Sequence, residues 1–306
     1  MKENIRKISV CILVGLLTIL QPMHAYAATT WKVTYYKAIT IPLKNDTDTI
    51  THFGGMCITG TTAYCFKTAS GDTASRLYKI TKIDDYPTMS IVKTWNSSRL
   101  GHANGLAYYS NHLYVATFKG VSEIQVAKIN PSSGEIVTEY KSSRRIYTIA
   151  HFKGSNFIVD EGNVTINGKI HRKFSVATFN DSSKTVSYGN CFYILVDSYY
   201  NNGFVHFQDI EYDGGQFYLP IWNGTEKHKN IVLEIGLGSS VVNGKVYPIE
   251  YKNVINGAEG TKFEIEAMAC DKYGDAYFSI DRKNKKLNAI YWCDMTFKMI
   301  PMSRTY

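Results

Sequence analysis

Proline is scarce in this chain, at seven residues in 306. No Pro-, Gly- or Ser-rich linker divides it, so nothing marks a boundary between two domains. Long helical periodicity is also missing, because apolar positions do not recur at the spacing that gives a helix one buried face, and this excludes a helical bundle. After residue 20 no apolar run reaches the ~20 residues that a membrane helix needs. Cysteine is infrequent and never arranged as C-x-x-C, so a zinc knuckle has no support. Five cysteines follow residue 27 (Cys57, Cys65, Cys191, Cys270 and Cys293), and an odd number excludes complete pairing within the chain. Cys57 and Cys65 flank a turn at a spacing that suits a bridge between neighbouring strands. The preferred reading is that both are small buried apolar side chains. The H-E-x-x-H, G-x-S-x-G, Walker and G-x-G-x-x-G patterns are absent, which leaves no sequence support for zincin, α/β-hydrolase or nucleotide-binding chemistry.

What the chain does contain is aromatic and basic. Tyrosine occurs 23 times and phenylalanine 14 times, hydrophobic residues make up 44%, and charged residues 20%. That composition excludes a disordered chain. The net charge is +8 and the pI about 9.0, which suits a polyanionic partner or a merely soluble basic surface.

The first residues read as a secretory leader. Lys2, Arg6 and Lys7 form a basic start, an apolar run extends from Ile8 to Leu20, and Ala25-Tyr26-Ala27 offers small residues for cleavage. Residues 1–27 are therefore expected to be a signal peptide and residues 28–306 the mature domain. Export to the cell envelope or the medium follows, with no membrane span in the mature chain.

Short alternating runs such as Leu113-Tyr114-Val115 and Phe217-Tyr218-Leu219, bounded by Gly, Asn, Ser and Asp, predict many short antiparallel strands. One pattern recurs: a short apolar strand, a Gly- or Asn-rich turn, then a strand with an aromatic residue. It occupies residues 55–66, 105–116, 148–159, 209–220 and, with one insertion, 267–279. The aromatics are Tyr64, Tyr114, Phe157, Tyr218 and Tyr277. Further strands follow each hairpin, so a unit of roughly 40–60 residues carries four strands, the size of a propeller blade. The expected fold is all-β: a single β-propeller of five four-stranded antiparallel blades, closed by the N-terminal strand 31–42. Six blades are the alternative, the extra one lying around Cys191–Val196. Asp209–Gly214 mimics the start of a calcium loop, but Pro220 stands where the final ligand would be, and the segment reads as a hairpin.

These hairpins resemble the units of secreted β-propellers of the NHL and SMP-30 kind. The resemblance implies a fold superfamily and no particular activity.

Four residues before the first apolar anchor of each hairpin stand His52, His102, Arg145, His206 and Glu264. Two residues later come Gly54, Asn104, Tyr147, Gln208 and Glu266. Equivalent positions on innermost strands converge at one mouth of a propeller channel, and offsets of two share a side of the strand. His52, His102, Asn104, Arg145, His206, Gln208, Glu264 and Glu266 are therefore the expected ligand contacts, with Trp222 as a stacking surface. The loops returning to this face carry Lys67, Lys119, Lys227, Lys229, Arg282, Lys283, Lys285 and Lys286. The third loop differs in carrying Asp160 and Glu161.

The leading functional expectation is a binding protein for an anionic glycan or cell-wall polymer. The alternative is a lyase or hydrolase of acidic polysaccharide in which His52, His102, His206 and Glu264 hold a divalent metal and Arg145 neutralises the substrate acid. Beside both stands the reading that these polar groups only hydrogen-bond across the channel. Nucleic acid is not an expected partner, since no recognised motif for it is present, and the expected state is a monomer.

Overall fold

The structure is a computed structural model and describes residues 29–33, 36–45, 47–200, 205–223, 229–256, 263–282, 284 and 288–293. The expected leader lies outside these residues. So do Lys227, Lys283, Lys285 and Lys286, together with the side chain of Lys229.

Two strands open the described chain, β1 (Thr29–Val33) and β2 (Tyr36–Thr40). A four-stranded antiparallel sheet follows, made of β3 (Ile50–Thr59), β4 (Thr62–Ala69), β5 (Ser75–Thr81) and β6 (Thr88–Trp95). The next four strands repeat the arrangement: β7 (Gly105–Tyr109), β8 (His112–Ala116), β9 (Ile124–Ile129) and β10 (Ile136–Lys141). A third set is longer, with β11 (Ile149–Lys153), β12 (Asn156–Ile166), β13 (Lys169–Asn180) and β14 (Thr185–Leu195). It meets the second set at a single register, Lys141 opposite Thr185. In the fourth set β15 (Val205–Phe207) and β16 (Glu211–Asp213) both pair with β17 (Gln216–Asn223), which pairs with β18 (Lys229–Gly236). A short β19 (Lys245–Tyr247) intervenes before β20 (Tyr251–Asn256), which lies antiparallel to β18. The last set is β21 (Phe263–Cys270), β22 (Ala276–Arg282) and β23 (Ala289–Cys293).

Besides β10 with β14, three pairings join strands from distant parts of the chain. β2 runs antiparallel to β23 and supplies the fourth strand of the last sheet. β1 runs parallel to β20, outside the fourth set. β19 leaves its own set to run parallel to β14 of the third. Each covers a strand edge that would otherwise offer free N–H and C=O groups.

The strands are buried on both faces because each sheet is packed between two others. In β4, Ala63 and Cys65 join a cluster with Ala267, Tyr277 and Ile290 of the last set. Tyr64 and Phe66, on the other face, join Leu106, Leu113 and Val115 of the second set. β12 splits in the same way: Phe157 and Val159 pack with Tyr114 and Tyr140, while Ile158 packs with Phe217 and Leu219. Tyr218 then packs with Met268 and Phe278. A fully buried side chain of this size contributes on the order of 2–3 kcal/mol, so these inter-sheet clusters are the main stabilising term. The leading strands touch in the order β3, β7, β11, β16 and β21, and β21 also touches β3. This is the all-β arrangement of a propeller repeat protein.

Three sequence expectations can be placed on the strands. Cys57 lies opposite Tyr64 and Cys65 opposite Met56, so the two thiols face different clusters and are not placed to bridge; both are free and buried. Cys191–Val196, the place expected for an additional unit under the alternative count, is largely the end of β14. The extra spacing there is taken up by the longer strands of the third set. Asp209–Gly214 is a hairpin, as expected, with β16 turning through Gly214 and Gly215 into β17.

Candidate functional site

The leading strands are held very close to one another. A Cβ added to Gly55 would lie 2.5 Å from the carbonyl carbon of Gly105, and one added to Gly105 would lie 2.1 Å from Thr148 Oγ1. Only glycine allows backbones to approach so far. Backbone contact of this kind brings the residues just before these glycines together at one end of the strands.

There, a cavity of about 780 Å³ is lined by His52, His102, Asn104, His206, Gln208, Trp222, Glu264 and Glu266, joined by Phe118, Tyr147, Asn163, Arg172 and Phe207. The structure thus brings together every sequence-predicted contact except one. Arg145 does not line the cavity. Its Nε donates to the Lys119 carbonyl at 3.2 Å, and its guanidinium stands 4.9 Å from the Phe118 ring centre and 5.2 Å from that of Tyr147, so it backs the wall.

The imidazoles are fixed from behind. His52 Nδ1 lies 3.2 Å from Asp281 Oδ2, and His102 Nδ1 lies 2.8 Å from Asp72 Oδ1. An ionised carboxylate only accepts, so Nδ1–H donates and Nε2 is left as the acceptor in the neutral ring. Asp281 also accepts from the Phe53 backbone N–H at 3.2 Å and from the Asn288 amide. His206 stacks on Trp222 with ring centres 5.2 Å apart and an interplanar angle of 29°.

Amides stitch the wall together. Asn104 Nδ2 donates to the carbonyls of Tyr147 and Gln208, each at 3.1 Å, and so ties three sets of strands. Gln208 Nε2 donates to Glu264 Oε1 at 2.6 Å. Beneath it, Asp209 is 1% exposed and accepts from Thr148 Oγ1 at 2.6 Å and from the Met268 N–H at 3.3 Å. Burial pushes its carboxyl well above the ordinary range, against the pull of those hydrogen bonds.

The residues that sequence reasoning missed come mainly from the second and third strands of a set. Asn163 and Arg172 face each other across β12 and β13. Arg172 Nε and Nη2 donate to Asp160 Oδ2 at 2.9 and 2.7 Å, and Nη1 donates to Asn163 Oδ1 at 3.0 Å. Burial raises the Asp160 carboxyl, and the Arg172 charge opposes that rise. The available signal was the Asn167-Gly168 turn, which extends this hairpin past the others and over the cavity; both residues have positive φ, 50° and 74°.

The expected metal set can be compared with the described side chains. Among the described residues no three His, Cys, Asp or Glu side chains form a group able to hold an ion. His52, His102, His206 and Glu264 line one space, but two of the imidazoles are oriented by carboxylates on the wall and the third by Trp222. The basic-loop expectation is corrected. Lys67 is 0% exposed within β4, donates to the Ile41 carbonyl at 3.3 Å and stands over the Phe53 ring. Arg282 is buried against Tyr291. Asp160 and Glu161 are not free loop acids either: Glu161 pairs with Arg144 and Lys173. Lys119 remains, half-buried at the rim.

No family model matches the chain, and no curated protein does. Solved structures do. A bifunctional GH43-CE protein of Bacteroides eggerthii is 13% identical over 79% of this chain and 32% of its own, with a TM-score of 0.46. A GH43 glycoside hydrolase engineered to display endo-xylanase and exo-arabinofuranosidase activity is 10% identical over 79% of this chain and 49% of its own, with a TM-score of 0.45. The WD40 domain of Neurospora crassa Pan2 is 8% identical over 87% of this chain and 97% of its own, with a TM-score of 0.39. The chain spans about a third and about half of the two GH43 proteins. All three scores are too low for any activity to pass from those proteins to this chain.

Proposed function

We propose that this protein binds a glycan. It is exported behind a leader cleaved near Ala27, closes as a five-bladed propeller, and holds a segment of an anionic cell-wall or envelope polysaccharide at the polar mouth of its channel. The observation that carries this reading is the cavity itself. Positions chosen as equivalent in successive hairpins, with Trp222 beside them, line one space of about 780 Å³. That is the size range of a small-molecule site.

Its chemistry suits sugar. A sugar ring has apolar C–H faces and a rim of hydroxyls that both donate and accept. Trp222, Phe118, Tyr147 and Phe207 offer planes, Glu264 and Glu266 offer acceptors, and Asn163 and Gln208 carry amides. The imidazole Nε2 of His102 adds an acceptor whose direction is set by Asp72. The net positive charge, which remains once the leader is removed, favours a polyanion over a neutral polymer. Five inter-sheet core clusters and the contact of β21 with β3 support the blade count, and the pairing of β2 with β23 supports closure by the N-terminal strand.

The test is calorimetric titration with a uronic-acid polysaccharide, a polyol-phosphate polymer and a neutral glucan. Binding to an anionic member, weakened about tenfold or more by Trp222→Ala and by the His102→Ala/His206→Ala double substitution, is the expected outcome. Variants that melt like the parent and bind as tightly would remove the cavity from the reading.

A further inference from the structure

Arg172 is set apart from the other cations of the site by how it is held. Its side chain is 8% exposed, yet it lines the cavity. A guanidinium has five N–H donors in a fixed plane. Asp160 occupies one edge, through Nε and Nη2, and Asn163 takes one N–H of Nη1. One N–H on each Nη is therefore left without a protein acceptor among the described residues. The faces of the group are covered as well. Its carbon stands 4.8 Å from the ring centre of Tyr147 and 4.9 Å from that of Phe207, residues contributed by the approach to β11 and by β15. A buried donor with no acceptor is costly, and an oxygen-bearing ligand is the natural partner for it.

We propose, on the basis of the glycan reading, that the ligand is a uronate-type sugar and that Arg172 is the residue that meets its carboxylate. Arg145, the cation expected from sequence, does not line the cavity and does not meet it. Asp160 fixes the plane of the guanidinium and balances its charge, so recognition relies on directed N–H bonds more than on net attraction. Glu264, with Gln208 bonded to it, and Glu266 lie on a different set of strands that lines the same cavity. The sugar acid meets the Arg172–Asn163 pair, and the sugar hydroxyls face the side chains of the other set. The bound ring therefore has one orientation.

The experiment compares a uronate oligosaccharide with the same oligosaccharide reduced at its carboxyl groups, and reads the ratio of the two dissociation constants. The parent is expected to prefer the acid form by about tenfold or more, the scale of a charge-assisted hydrogen bond. Arg172→Met combined with Asp160→Asn, which leaves no buried unpaired charge, is expected to bring the ratio close to one. Arg172→Lys keeps the charge balance without the planar fork and is expected to lose most of the preference too. Arg145→Met is expected to keep the parent ratio. A folded Arg172 variant with an undiminished ratio overturns the assignment. A parent that binds both oligosaccharides equally well overturns it while leaving glycan binding standing. A parent that binds neither overturns it, and the glycan reading falls with it only if the polyol-phosphate polymer and the neutral glucan also fail to bind.

Discussion

At the scale of single residues, burial decides what each polar group can do. Arg145 and Arg172 are both cations standing over Tyr147, and only the second lines the cavity. The hairpin alignment pointed to Arg145 because it ranks positions along the leading strand. It carries no information about side chains arriving from β12 and β13. Lys67 was misread for a similar reason: a Lys next to a turn-rich segment looks solvated, whereas here both faces of its strand are covered. Asp209 gives a prediction with a definite sign. Burial raises its folded pKa, so the folded protein keeps a proton that the unfolded chain loses first. The stability from this group is fully present below the ordinary carboxylate range and is lost as pH rises through the raised value. Urea unfolding at several pH values between about 4 and 7 is expected to show a slope of up to about 1.4 kcal/mol per pH unit from this carboxyl. Asp209→Asn, which cannot titrate, is expected to flatten that slope even if it lowers stability overall. An unchanged slope would show that Asp209 is ionised in the fold.

At the scale of elements, the hairpins were legible and the pairings between distant strands were not. Period-two alternation and turn residues are local, so β7 and β8 could be read directly from residues 105–116. The pairing of β19 with β14 could not, because two short runs far apart in sequence carry no mark of their partnership. The long β12–β13 hairpin shows in the sequence only as an irregular repeat spacing. Close packing of leading strands makes Gly105 critical. Gly105→Ala must push apart two backbones already in contact and is expected to cost about 1–3 kcal/mol or more by thermal melting. The two N-terminal strands differ in consequence. Removing residues up to 33 takes only β1 from the outside of a sheet and is expected to leave a folded protein with a lower melting temperature. Removing residues up to 41 also strips β23 of its partner and is expected to give aggregation, read by light scattering.

At the scale of the whole molecule, charge and cavity have separate roles. The net charge of +8 acts at long range and is screened by salt, while the cavity acts by contact. Affinity for an anionic polymer is therefore expected to fall as salt rises from about 0.05 to 0.5 M, with the acid-over-neutral ratio for a short oligosaccharide changing far less. Equal loss of both would place recognition on the surface charge. The repeat register made the cavity readable from sequence because it maps distant segments onto one axis. Shared register brings side chains to one space without dictating where each ring turns, and Asp72, Asp281 and Trp222 bear on that here.

The pairing of β2 with β23 has a temporal consequence. β2 leaves the ribosome long before its partner β23 is made, so the last sheet cannot form on a chain stopped before β23. Assembly of that sheet has to wait for β23, and a product stopped before it would keep an unsatisfied edge, a feature by which a quality-control protease or chaperone tells it from the finished molecule.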